Sequence, residues 1–169
     1  LTYKNHWATN RQEEKKSFIH FIEFVLERWR KYPNLHIYHF APYEPSAIKR
    51  LAQVHAVYEK EVDQLLRAER FIDLHAVFKE SLLASVESYS LKALEKFTLY
   101  TRNIELHDAC VARKAVEVAL ELLEFNLLPE ETIRTTVGYN EDDCLATRAL
   151  HVWLEELRTQ RLKAGTEFQ

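Results

Sequence analysis

Only two glycines occur in 169 residues. Glycine enters left-handed turns without steric cost, so a chain this poor in it favours long helices and few tight hairpins. The apolar periodicity agrees. Residues 11–31 place Phe18, Phe21, Ile22, Val25 and Trp29 at helical spacing, and Pro33-Asn34 end the run. Glu44-Pro45-Ser46 opens a second helix, with Pro45 suited to its first position and Ile48, Leu51, Ala52 and His55 on its inner face. Further helices are expected over about 59–68, 89–97 and 110–125. Pro129-Glu130-Glu131 starts another, and Gly138 either breaks it before a long last helix or sits inside it.

Strand signals are few. Leu35–Phe40 and Phe71–Leu74 are short and rich in β-favouring residues, and Asp73 is placed to cap a following helix. Residues 1–9 alternate roughly and suit a strand or an arm. The element order predicts an α/β fold, with a short mixed sheet flanked by many helices. Two strands make an incomplete sheet, so its first strands are expected upstream of Leu1. A chain without methionine that starts at Leu fits a segment of a longer protein. The domain is expected over 1–160, with a polar, frayed tail over 161–169.

Composition narrows the class. Hydrophobic residues make up 47% and charged residues 29%, as in soluble globular domains. No apolar run reaches membrane-spanning length and no signal peptide opens the chain, so no membrane partner is expected. Cys110 and Cys144 form no C-x-x-C pair and suit free thiols in a reducing compartment, hence a cytoplasmic location. With a net charge of −3, nucleic-acid binding requires a local basic surface or bound metal ions.

Two constellations carry possible chemistry. In Tyr139-Asn140-Glu141-Asp142-Asp143, Tyr139 and Asp143 share one helix face, and Ala146, Leu150, Trp153 and Leu157 continue an apolar stripe from Asp143. A carboxylate there needs a partner, and a metal ion is one candidate. Two-metal nucleases need converging carboxylates, and a phenol one turn away can hold the attacking water. For the pattern alone, a packed tyrosine beside an exposed acid is the commoner outcome. The neighbouring Asp142 points about 100° away and suits a solvated or capping acid. In His39-Phe40-Ala41-Pro42-Tyr43-Glu44, Glu44 stands where a strand ends, which is where ligands gather in α/β sheets. Its plainer role is an acid at a helix N-terminus. His39 suits a packed strand-end histidine, or one that approaches Glu44 or a phosphate. Lys92 and Lys96 lie one turn apart and suit phosphate contacts or a solvated face, as do Arg28, Arg30 and Lys31. His36, His39 and His75 form no zinc pattern with the cysteines.

Together these residues resemble the ribonuclease-H-like 3′–5′ exonucleases of the DEDD type, tyrosine subgroup. The third motif of that family, Tyr-x-x-x-Asp, is matched by Tyr139 and Asp143. Its second motif, His-Asn-x-x-Phe-Asp, is similar to His39-Phe40-Ala41-Pro42-Tyr43-Glu44, with Phe40 at the asparagine position and Glu44 at the acid. A closer resemblance is to the ribonuclease-H-like domain of predicted RecB-type nucleases, some fused to helicases. It rests on 32–39, 43–45, Phe71-Ile72-Asp73-Leu74, Ser88-Tyr89-Ser90-Leu91-Lys92 and 139–144, and runs from about 11 to 157.

The resemblance implies a nuclease that uses Mg²⁺ or Mn²⁺ to cut single-stranded DNA or RNA from a 3′ end. Glu44 and Asp143 are then metal ligands and Tyr139 positions water, with His39, Lys92 and Lys96 near the nucleic acid. The family's first motif, Asp-x-Glu, does not occur in the chain and is expected before residue 1. Without it metal binding should be weak, and the segment by itself catalytically inactive. Two other readings stand beside this one. One is a non-catalytic nucleic-acid-binding or scaffold domain of a nuclease or helicase protein. The other is a helical interaction module, which predicts no strand pairing near His36–His39 and no convergence of Glu44 with Asp143.

Overall fold

The computed structural model describes residues 2–165. Helix α1 spans Arg11–Lys31. The Asn10 side-chain oxygen accepts from the backbone N–H groups of Gln12 and Glu13, at 3.1 and 3.0 Å, satisfying donors that a first helical turn leaves free. Phe18, Ile22 and Val25 are buried on its inner face, whereas Phe21 lies on the exposed side of the predicted stripe.

Strand β1 (Ile37–His39) pairs with β2 (Phe71–Asp73) in parallel, in the register Ile37↔Phe71, Tyr38↔Ile72, His39↔Asp73. The expected mixed sheet is thus a purely parallel pair among the described residues. The crossover between the strands carries α2 (Tyr43–His55) and α3 (Glu59–Arg67), as parallel pairing requires. Successive strand residues face opposite sides. Phe71 accordingly packs on a core of Phe18, Ile22, Ile48, Ala52 and Val62 from α1, α2 and α3. Ile72 packs on a second core of Leu74, Phe78, Leu94 and Leu150. These come from α4 (Leu74–Ser81), α5 (Leu91–Leu94) and α7 (Glu130–Lys163). Helix α6 (Leu106–Glu121) buries Ala109, Ala112, Val116 and Ala119, small residues that let it approach α7 closely.

Gly138 lies inside α7, which runs unbroken for 34 residues. A β-carbon there would meet Ile104 Cγ1 at 3.0 Å, so the gap left by glycine admits the segment before α6. The scarcity of glycine has a counterpart in the turns. Ala41, Ala56, Tyr58, Glu69 and Leu123 all take left-handed φ. Leu123 ends α6 at φ 60°, where Glu124 N–H donates to the Ala119 carbonyl at 2.8 Å.

Several boundaries differ from the sequence reading. Residues 2–9 form no strand. They are an irregular arm, whose Tyr3 hydroxyl donates to Asn140 Oδ1 at 2.9 Å, and Leu1 lies outside the described residues. Helix α2 starts at Tyr43, so Pro45 is not its first residue. The helix expected at 89–97 is α5 followed by a 3₁₀ turn over Glu95–Phe97, and the one expected at 110–125 is shifted to Leu106–Glu121. The tail expected to fray over 161–169 is helical through Lys163, and 166–169 lie outside the described residues. No described helix is long and apolar enough to cross a membrane.

Candidate active site

The carboxyl end of β1 shapes one wall of the site. After His39 the chain turns through Ala41 at φ 65°. Asp73, the register partner of His39, holds this turn. Its Oδ1 accepts from the N–H of Ala41 and from that of His75, each at 2.9 Å. Asp73 therefore caps α4, as predicted, and also ties the two strand ends together. His39 is buried, with Nδ1 2.7 Å from the Ala41 carbonyl and 3.6 Å from Glu44 Oε2. A carbonyl only accepts, so Nδ1 carries the proton. Glu44 sits in the first turn of α2, where free N–H groups favour a negative charge, and its side chain is 53% exposed.

The opposite wall is α7, and here Asp142 departs from expectation. It is neither solvated nor a cap, being only 1% exposed. The Tyr100 hydroxyl and Asn103 Nδ2 donate to its Oδ1, and the backbone N–H groups of Asn103 and Ile104 donate to Oδ2 at 2.9 Å each. Burial opposes its ionisation, but the hydrogen bonds from Tyr100, Ile104 and Asn103 outweigh it and hold the carboxyl below its usual range. Asp142 thus anchors the irregular segment between the Glu95–Phe97 turn and α6.

That anchor brings Arg102 against α7. Arg102 Nη2 donates to Asp143 Oδ1 at 2.8 Å. Its Nε donates to both Glu95 oxygens, at 2.9 and 3.0 Å. The guanidinium lies 5.0 Å from the centre of the Tyr139 ring. Arg102 and Glu95 are nearly buried, Asp143 is 40% exposed, and Arg102 Nη1 is buried without a hydrogen-bond partner. Burial raises the Asp143 pKa above the usual carboxylate value despite the Arg102 ion pair. Burial and then Asp143 raise the Tyr139 phenol, so it stays protonated at neutral pH and remains a hydrogen-bond donor.

Glu44, Tyr139 and Asp143 line one cleft of about 620 Å³ together with His39, Lys92 and Arg102. Cys144, an exposed free thiol, lines the same cleft. The exposed Lys96 does not line the cleft. Both cysteines are free. The strand pairing at Ile37–His39 runs against the helical-module reading.

Divalent ions take several oxygen donors. Among the described residues, no group of three or more His, Cys, Asp or Glu side chains is placed to hold a metal ion. Arg102 also engages one oxygen of Asp143. The residues present do not by themselves form a two-metal centre. What they do form is a pocket with two carboxylates, a phenol donor and the open cation Lys92, with Arg102 already paired to Glu95 and Asp143. Such a set can orient a water and bind a phosphate.

Sequence reasoning passed over Arg102, Glu95 and Tyr100. They lie in a short turn and an irregular segment, where no periodicity marks which side chains point inward.

The sequence matches the family model RNase_H_2, of the RNase_H superfamily, over residues 2–155. No curated protein and no solved structure matches the chain.

Proposed function

The chain belongs to the RNase H superfamily, and on that premise we propose that it is a nuclease-like domain that binds single-stranded DNA or RNA in the Glu44–Asp143 cleft and acts as a 3′–5′ exonuclease. One observation carries the reading. Two acids from distant parts of the chain line one cleft with Tyr139, at the carboxyl end of a parallel strand pair.

In this reading the Tyr139 phenol donates a hydrogen bond to the water or phosphate at the cleft. The Glu44 and Asp143 carboxylates accept from that water and orient it. Lys92 offsets phosphate charge. Superfamily chemistry implies Mg²⁺ or Mn²⁺, for which Glu44 and Asp143 would be two of the donors. The test is Mn²⁺-dependent shortening of 5′-labelled single strands by the longest natural form of the chain. Asp143→Asn and Glu44→Gln should each abolish it, and cleavage unaffected by Asp143→Asn refutes the reading.

A second reading, a non-catalytic nucleic-acid-binding domain, is favoured by the Arg102–Asp143 ion pair, which supplies Asp143 with a cation from the chain itself. It predicts strand binding without cleavage under any metal.

A further inference from the structure

Two tyrosines on the cleft walls take no part in the carboxylate chemistry. Tyr38, on β1, is 40% exposed, and Tyr43, beside Glu44 on α2, is 76% exposed. A ring this open on a cleft wall offers a face to a ligand. Tyr38 is also held in place. Its ring lies 3.9 Å from that of His151, with the planes inclined by 32°. His151 is on α7, about two turns beyond Asp143. Burial and then the nearby Glu155 raise the Tyr38 phenol, so the ring is neutral at physiological pH.

The cleft therefore combines two accessible aromatic rings, one of them braced, with the exposed cation Lys92. Rings that take bases beside a cation that takes a phosphate are the chemistry of an unpaired nucleic-acid strand. A paired helix keeps its base faces stacked on each other and has none to offer. Along α7, Tyr139 and His151 are separated by about 18 Å, at about 1.5 Å per residue, which leaves room for more than one nucleotide.

We infer that Tyr38, braced by His151, and Tyr43 are base-stacking platforms that make the cleft selective for unpaired strands. The inference rests on the cleft being a nucleic-acid site and adds which residues receive the bases.

The test uses the intact chain in EDTA, so that binding is read apart from cleavage. Fluorescence anisotropy compares 5′-labelled single-stranded DNA and RNA of one sequence, a hairpin duplex, and an oligonucleotide with abasic sites. The base-bearing strands should bind about ten-fold or more tighter than the abasic one and the duplex. Tyr38→Ala and Tyr43→Ala should each weaken the base-bearing strand by about ten-fold and leave the abasic one unchanged. Tyr38→Phe should restore binding, because stacking needs the ring and not the hydroxyl. The DNA and RNA arms show which strand the platforms prefer.

Equal weakening of base-bearing and abasic strands by both alanine variants, or no weakening by either, overturns the inference and leaves the cleft reading intact. If no strand binds the unaltered chain, in EDTA or with Mn²⁺ present, the cleft reading fails and the inference with it. Circular dichroism of each variant separates a loss of fold from a loss of stacking, and the open position of Tyr43 gives one variant with little packing to lose.

Discussion

Arg102 Nη2 donates to Asp143 Oδ1 across 2.8 Å, so the acid that faces the cleft already has a cation from its own chain. The two partners differ in their surroundings. Arg102 is nearly buried and shared with the nearly buried Glu95, whereas Asp143 is 40% exposed.

Stability and activity should therefore separate. Arg102→Gln leaves Glu95 buried without its counter-charge and should cost about 3 kcal/mol in urea unfolding. Asp143→Asn breaks only the half-open contact and should cost less than about 1 kcal/mol, while abolishing any cleavage. Equal losses of stability in the two variants would contradict the assignment.

Asp142 should give the opposite pattern to Asp143. Asp142→Asn turns an amide N–H₂ toward N–H donors and should destabilise the chain by about 2 kcal/mol at pH 7. The folded carboxyl titrates below its ordinary value, near 3.9 in model peptides. Its stabilisation is thus fully present above about pH 4 and is lost as pH falls through the depressed folded value. Urea unfolding from pH 7 to pH 2.5 should show the gap between the native chain and the variant closing only below about pH 4. A gap that stays constant over that range would refute the role.

Leu123 offers a gain. It is 86% exposed and holds a left-handed φ at the end of α6, so its side chain packs little and strains the turn. Leu123→Gly should stabilise the chain by about 1 kcal/mol, seen as a higher Tm. A lower Tm would mean that the exposed side chain has a packing partner.

Lys92 and Lys96 should part company. Lys92 lines the cleft and Lys96 does not. Lys92→Ala should weaken strand binding and reduce the salt slope by about one, whereas Lys96→Ala should change neither. Titration of anisotropy against salt measures both.

The sequence carried some of this and concealed the rest, for identifiable reasons. The long helices were legible because apolar residues recur at helical spacing, and the shared cleft of Glu44, Tyr139 and Asp143 because motif order groups them. The inward acid was not legible. Ala146 and Leu150, both buried, continue a stripe equally well from Asp142 or from Asp143, since helical steps alternate between three and four residues. Only the donors Tyr100, Asn103 and Ile104 settle the matter, and they lie in a segment without regular structure. Pro45 misled in a similar way. It tolerates any place in a first turn, so it marks the start of a helix without fixing the first residue.

Helix α7 carries Tyr139, Asp142, Asp143 and His151 on one unbroken rod. It is a ruler with marks at fixed angles. Inserting one residue between Asp143 and His151 would swing one mark by about 100° against the other and separate the acid from the Tyr38 brace. Natural changes of length in such domains should therefore accumulate in the connections before α5 and between α6 and α7, and spare this interval.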